Sequence, residues 1–231
     1  IALGYFKNFN NYSVEIETFY KKTKNRIDYI DGANLIANKA IEQVLLNGRS
    51  RAFGLELLFR KNKGRFKGWL AYTLSKSEQQ TLGRNNSEPG INNGNWYKTP
   101  FDKTHDISIT GSYELNDKWE LNANFLYQTG QPTTYPNGQY VYNGLVIPTY
   151  ETRNSSRLPA YHRFDLSAKY TPKPEKTKAW RGEWVFSIYN LYNRKNTQSL
   201  NFRQNDNTGQ NEALKLSIFG AIAAVSYNFK F

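Results

Sequence analysis

The side chains able to do chemistry in this chain are few. His105 and His162 are its two histidines, and cysteine and methionine are absent. A thiol nucleophile, a disulfide framework and a thiolate zinc site are therefore excluded. Neither a Gly-Xaa-Ser-Xaa-Gly nucleophile elbow nor a His-Glu-Xaa-Xaa-His zinc motif occurs, and no glycine-rich phosphate loop precedes a helix. A hydrolase carrying Ser, His and an acid on the outer wall of a barrel is the one enzymatic arrangement His162 could serve, and no further residue pattern supports it. The expectation is a protein without catalytic residues, metal or cofactor. What remains is binding chemistry. Glu56, Glu114, Glu120, Arg163 and Asp165 sit on the polar parity of alternating segments, where a charge must find water or a partner. Trp96 and Tyr97 in NWYKTP, and Tyr135, Tyr140 and Tyr142 in TTYPNGQYVYNG, sit among amides in long connections. Aromatic faces beside amide hydrogen-bonding groups suit capture of a polar organic ligand, so these five are the ligand-loop candidates.

The elements that must position these residues are strands. Period-2 alternation marks nine segments, about 1–7, 12–30, 41–60, 65–79, 100–115, 118–130, 159–171, 182–194 and 214–231. In DISITGSYEL, Ile107, Ile109, Tyr113 and Leu115 oppose Asp106, Ser108, Thr110, Ser112 and Glu114; in YHRFDLSAKY, His162, Phe164, Leu166, Ala168 and Tyr170 oppose Arg163, Asp165, Ser167 and Lys169. Several segments reach or pass the ~9–11 residues with which a tilted strand crosses a bilayer. The mean hydropathy of -0.74 and the absence of any run near ~18 apolar residues exclude a helical membrane protein, but a membrane barrel hides its lipid-facing residues among polar ones.

The connections alternate in length. FNN, KNKG and ND are short, whereas 31–40, 80–99, 131–158 and 195–213 are long, and only 172–181 breaks the pattern by being of middling length. Short turns at one rim and long loops at the other are the plan of an outer-membrane barrel, with the turns periplasmic. Phe59, Phe66, Tyr113, Trp119, Tyr170, Trp184, Phe229 and Phe231 then fall at periplasmic strand ends as an aromatic girdle. Lys and Arg exceed Asp and Glu by 31 − 19, a net charge of +12, which raises nucleic acid or an anionic membrane surface as partners. The basic residues gather in turns, as Lys61, Lys63, Arg65 and Lys67 and as Lys173, Lys176, Lys178 and Arg181, so no cationic groove beside a stacking platform emerges and nucleic acid is not expected. Headgroup contact and plain solvation both remain open for these turns. Nine is an odd count, and a single-chain bacterial barrel closes with an even one, so the expectation is a portion of a larger barrel. The opening IALGYFK, without initiator Met, charged n-region or apolar h-region, fits a mature form or a piece of a longer chain.

Taken in order, VEIETFYKKTKNRIDY, SRAFGLELLFR, WLAYTLSKSE, PFDKTHDISITGSYEL, YQTGQPTTYPNG, RLPAYHRFDLSAKY, WVFSIYNLYNRKN and AVSYNFKF resemble the C-terminal barrel region of TonB-dependent outer-membrane receptors, of the sort abundant in Bacteroidetes. The resemblance covers essentially residues 1–231. It implies an all-β fold in which about nine antiparallel strands are the last of a 22-stranded barrel, with the plug domain and the TonB-binding segment lying before this sequence. It implies an outer-membrane active transporter for a scarce or bulky solute of the siderophore, glycan or peptide class. Implied partners are membrane lipid, the protein's own plug, a TonB-type energy coupler, the barrel-assembly machinery and a surface lipoprotein. Glu56, in a Gly-Xaa-Glu setting, and the Arg163 and Asp165 pair resemble recurrent family features and are candidates, with Glu114 and Glu120, for plug contacts; pairing with neighbouring wall strands is the alternative. The closing strand, with Val225, Tyr227, Phe229 and Phe231 on one parity, resembles the signal by which assembly machinery recognises barrels, and an apolar edge strand is a physical template for strand addition. A structural or accessory barrel subunit of a larger outer-membrane complex is the competing reading.

Overall fold

The structure, a computed structural model, describes residues 1–36, 38–150, 152–172, 181–205, 207–209 and 211–230. Along the chain the strands are β1 (Ala2–Asn8), β2 (Tyr12–Tyr29), β3 (Leu45–Lys61), β4 (Phe66–Thr81), β5 (Tyr97–Lys98), β6 (His105–Glu114), β7 (Trp119–Gln128), β8 (Pro132–Thr133), β9 (Gly138–Tyr142), β10 (Leu145–Thr149), β11 (Ser156–Arg157), β12 (Tyr161–Tyr170), β13 (Arg181–Tyr189), β14 (Ser199–Gln204), β15 (Asn211–Leu216) and β16 (Ile222–Lys230). Nine of them form one antiparallel meander in the order β1-β2-β3-β4-β6-β7-β12-β13-β16, and β5 pairs the far end of β4. The remaining short strands form hairpins within the long loops: β8 with β11, β9 with β10 and β14 with β15. Phe231, Lys173, Lys176 and Lys178 lie outside the described residues.

Register sorts the side chains onto two faces. Across β7 and β12, Trp119 stands opposite Tyr170, Leu121 opposite Ala168 and Phe125 opposite Phe164, while Asn122 meets Ser167 and Asn124 meets Asp165. The same parity continues through β6 and β4, where Thr110 meets Asn124 on one side and Trp69 on the other. Aromatic pairs mark the short-turn end of the apolar face, with ring centroids 4.7 Å apart in both Trp119–Tyr170 and Trp184–Tyr227. Tyr127 and His162, 6.3 Å apart, mark the long-loop end. The nine residues from Trp119 to Tyr127 run roughly 26 Å along the strand, within the ~9–11 residues with which a tilted strand crosses a bilayer.

Among the described residues only Leu46, Ile91 and Tyr97 are buried hydrophobics, and they cluster at the long-loop end. Leu70, Ile109, Leu121, Leu166, Phe186 and Ile188 on the apolar face are all exposed. The sheet is held by its ladders rather than by a second layer packed on that face.

Where the structure departs from the periodicity, local chemistry explains it. The segment 41–60 begins as a strand only at Leu45, because Ile41–Val44 form a 3-10 turn. The segment 100–115 begins as a strand at His105. Before it the chain runs along the edge of β4: the Ser75 amide donates to the Thr104 carbonyl (3.0 Å), and the Asp102 carboxylate accepts the Ser77 amide (2.6 Å), taking the place of a ladder carbonyl. The segment 182–194 leaves the sheet after Tyr189, where Asn190 and Asn193 take φ values of 55°. The segment 214–231 divides between the end of β15 and β16. The tight turn between β6 and β7 is set by Asn116, whose Oδ1 accepts the amides of Lys118 (2.9 Å) and Trp119 (3.0 Å).

One irregularity matters for function. β2 carries a β-bulge between Thr23 and Arg26, with Asn25 at a φ of 54°. Thr23 and Arg26 both fall on the polar face, so the extra residue inverts parity and turns Asp28 inward, where simple alternation would have pointed it out.

Asp102 is 1 % exposed and is bound by Arg157, whose guanidinium also donates to Thr104 Oγ1 (3.0 Å) and the Gly130 carbonyl (2.9 Å). Removing one partner of such a pair strands the other charge. Arg157→Ala in the full-length protein is expected to destabilise the barrel by about 3 kcal/mol, read as a lowered thermal unfolding midpoint in detergent; an unchanged midpoint would refute this account.

Candidate functional site

The polar face carries three arrangements of charge. On the wall near the short-turn end, Lys67 Nζ lies 2.6 Å from Glu114 and Lys169 Nζ 2.7 Å from Glu120, with Ser112 Oγ donating to Glu120 (3.0 Å). Glu114 and Glu120 share a rung of β6 and β7, so each like charge is offset by its own lysine. At the half-exposed Lys67–Glu114 pair, solvent screening leaves the attraction a small contributor to stability.

Higher on the wall, the Arg163 guanidinium binds Asp165 (2.9 Å) and donates to the phenol oxygens of Tyr189 (2.7 Å) and Tyr161 (3.1 Å). It also stacks 4.0 Å from the centroid of the Tyr189 ring. Asp165 in turn accepts the Asn190 amide (2.8 Å), which ties the wall to the turn after β13. Glu56 differs. It stands opposite Glu17 on one rung of β2 and β3, and neither carboxylate has a hydrogen bond or ion pair to a described residue. Four of the five wall candidates therefore have partners within the sheet, while Glu56 and its neighbour present two unneutralised acids to the space beside the polar face.

The third arrangement is a polar knot at the long-loop end. Asp28, turned inward by the bulge, accepts from Gln79 Nε2 (2.5 Å), Tyr97 OH (2.7 Å) and Arg153 (2.8 Å). Gln79 and Thr81 also meet the Tyr97 oxygen at 2.8 and 2.9 Å, and Arg153 reaches Asp31 at 2.5 Å. Asn92 and the backbone of Arg153 bond each other reciprocally, at 3.0 and 2.8 Å. Residues from β2, β4, the segment after β4 and the segment before β11 thus meet at one point, and the Tyr97 side chain also clusters with the buried Leu46 and Ile91. The knot pulls the 82–104 and 152–157 segments inward over the polar face. Its members other than Tyr97 escape sequence reading, because Asp28 and Arg153 are 125 residues apart and the bulge hides the parity of Asp28.

The loop aromatics fall into distinct settings. Tyr97 is buried within the knot. Trp96 lies against Arg51 (4.2 Å) and Arg49 (5.5 Å), which belong to the outward parity of β3. Tyr135 donates to the Arg157 carbonyl (2.9 Å) and packs edge-on against Phe202 (5.4 Å). Tyr140 and Tyr142 are exposed on β9, whose hairpin turns at Asn143 and Gly144 with φ values of 49° and 77°, the left-handed pair of a type I′ turn. Of the five, Tyr140 and Tyr142 are the ones free to meet a solute. No group of residues able to hold a metal ion occurs among the described residues.

Burial, then the hydrogen bond to Asp28, pushes the Tyr97 phenol up to about 12. Burial works against the Arg153 cation, yet Asp28 and Asp31 hold its pKa above the usual value. With its folded pKa raised above that of an unfolded phenol, Tyr97 contributes its full anchoring below roughly pH 10 and loses it as pH rises through 12. A difference titration of wild type against Tyr97→Phe should show the missing phenol ionising near pH 12; ionisation near pH 10 would dissolve the knot as described. Arg153→Ala should leave the Asp28 charge short of its strongest donor and cost about 2 kcal/mol locally, measured as faster hydrogen exchange across 82–104 with β7 and β12 unaffected.

Comparisons with known proteins follow this geometry. Residues 2–191 match the family described as TonB dependent receptor-like, beta-barrel. The crystal structure of the ferric citrate transporter FecA in the unliganded form is similar over 99% of this chain, at 14% identity and a TM-score of 0.57, with 30% of that chain covered. The closed form of the ferric-catecholate import receptor Fiu from E. coli K12 is similar over 95% of this chain, at 13% identity and a TM-score of 0.55, with 25% of that chain covered. Both likenesses speak to fold alone, and the chain spans less than a third of either structure. Comparison with curated protein sequences gives no match. With most of its length inside the family match and its meander superposing on part of two such barrels, the chain belongs to the TonB-dependent receptor-like β-barrel family.

Proposed function

We propose that the chain is the C-terminal part of the barrel wall of an outer-membrane active transporter in a Gram-negative cell, driven through a TonB-type coupler and importing a solute too scarce or bulky for passive pores. The observation that carries this reading is the two-faced sheet with loops tied inward at Asp28. An apolar face suits lipid, a charged face suits a filled lumen, and a fixed rim over that lumen suits a receptor better than an open pore. The short turns are periplasmic in this reading and the long loops extracellular.

The plug is the partner the polar face lacks. Glu56 and Glu17 are where a plug cation would gain most, because both acids have no partner among the described residues. Glu114, Glu120, Arg163 and Asp165 have partners in the wall and would meet a plug as neutralised pairs. Exposed Tyr140 and Tyr142 offer the loop surface for a siderophore, glycan or peptide. Ferric citrate and ferric catecholates, the solutes for which the two similar proteins are named, are the first to try. On β16, Val225, Tyr227 and Phe229 occupy the outward parity, consistent with the strand that assembly machinery would recognise. A surface lipoprotein lid is a further candidate partner.

Deletion of the full-length gene product in its host tests the reading. The expected result is loss of growth on one class of scarce solute, matched by the loss seen when the energy coupler is removed. Undiminished uptake of iron chelates, glycans and peptides, with disassembly of a co-purifying outer-membrane complex, would replace the transporter with an accessory barrel subunit.

A further inference from the structure

The apolar band of the outward face ends within one rung on three neighbouring strands. Outward residues run Val14, Ile16, Thr18 and Tyr20 on β2, then Lys22 and Lys24; Phe59, Leu57, Leu55 and Phe53 on β3, then Arg51 and Arg49; and Leu70, Tyr72 and Leu74 on β4, then Lys76, Glu78 and Gln80. Register keeps the change within one rung: Tyr20 faces Phe53, whose partner on β4 is already Lys76, and Lys22, Arg51 and Glu78 fill the next rung. Glu78 is the one acid of this set, and it is shared by Arg51 (2.8 Å) and Lys76 (2.7 Å). Arg49 donates to Gln80 Oε1 (2.9 Å), and Lys22, Lys24 and Arg49 have no acidic partner among the described residues. These three line a pocket of about 410 Å³ with Asn25, Asn47 and Gln80, so cations and amides converge there without a carboxylate.

We infer that this pocket binds the phosphate-bearing headgroup of an outer-leaflet glycolipid. The inference rests on the membrane orientation proposed above, which puts the long-loop end of the outward face at the external headgroups. Cations directly above an apolar band match an anionic headgroup above its acyl chains, and ammonium and guanidinium groups are the natural partners of phosphate oxygens. Amides of Asn25 and Asn47 supply the hydrogen bonds that sugar hydroxyls need, while the Gln80 amide is held between Arg49 and the Gly94 carbonyl. The bulge at Thr23 and Arg26 contributes twice, exposing Asn25 on this side while turning Asp28 to the other. Trp96, 5.5 Å from the Arg49 guanidinium, braces that side chain at the pocket, while the neighbouring Arg51 lies 4.2 Å from the same ring and is neutralised by Glu78.

The test uses the full-length protein extracted from outer membranes in detergent, incubated with a diphosphorylated glucosamine-disaccharide lipid, with the same lipid dephosphorylated, or with inorganic phosphate, and examined by native mass spectrometry. Wild type should retain the phosphorylated lipid, and neutralising Lys22, Lys24 and Arg49 together to Gln should weaken retention on the order of a hundredfold. Lys22→Arg, Lys24→Arg and Arg49→Lys together should keep it, as should Lys61→Gln with Lys63→Gln in the distant short turn, and heat-modifiable gel mobility verifies that each barrel is folded. Equal retention of the dephosphorylated lipid, or retention undiminished in the neutralised variant, would overturn the proposal. Binding of inorganic phosphate as tightly as the lipid would overturn it in favour of a soluble anion. Recovery of the protein in the soluble fraction instead would show that the membrane reading itself had failed.

Discussion

Backbone hydrogen bonding between strands is the interaction on which everything else in this structure rests. A sheet with an exposed apolar face has no second layer to lean on, and among the described residues the buried hydrophobics are confined to Leu46, Ile91 and Tyr97. Each amide and carbonyl on a strand must then be met by its neighbour, because apolar surroundings offer no water to do so. The unbroken antiparallel order from β1 to β16 meets that demand along most of the wall. A stretch that lacks a neighbour is covered by substitution, as where Asp102 and the Thr104 carbonyl occupy the upper edge of β4.

The ladder also dictates where charge can go. Alternation leaves one face for polar side chains, and the wall pairs its charges across adjacent strands, as in Lys169 with Glu120, or within one strand, as in Arg163 with Asp165. Desolvated charge is tolerated only with several donors or acceptors around it. That explains why Asp28 has contacts with Gln79, Tyr97 and Arg153 at once, and why Asp102 is held by Arg157 and a backbone amide. Loops arriving from distant parts of the chain supply those contacts, so satisfying a buried carboxylate and ordering the rim are the same event. Glu56 and Glu17 stand outside this system of pairs among the described residues.

A single extra residue in β2 divides the long-loop end into two chemistries. Without the shift between Thr23 and Arg26, Asp28 would share the outward face with Lys22 and Lys24 and would neutralise part of it. With the shift, the acid organises the interior rim and the cations stand alone outside. The same strand thereby serves a polar interior and an outer surface whose requirements are opposite.

The sequence by itself determined the number of wall strands, their facing and the alternation of short and long connections, since period-2 patterning and turn residues such as Asn116 are local properties. It also placed Arg163, Asp165, Glu114 and Glu120 on the polar face, because in regular strands parity is a matter of counting. Only the tertiary structure decided where counting fails or contacts are distant: the inversion at the bulge, the union of Asp28 with Arg153, the Asp102–Arg157 pair, and the turning of Trp96 toward the outer wall while Tyr97 is buried. A bulge depends on which residues its partner strand offers, and a contact between segments 125 residues apart depends on the path of every strand between them, so neither is written in any short window of the chain.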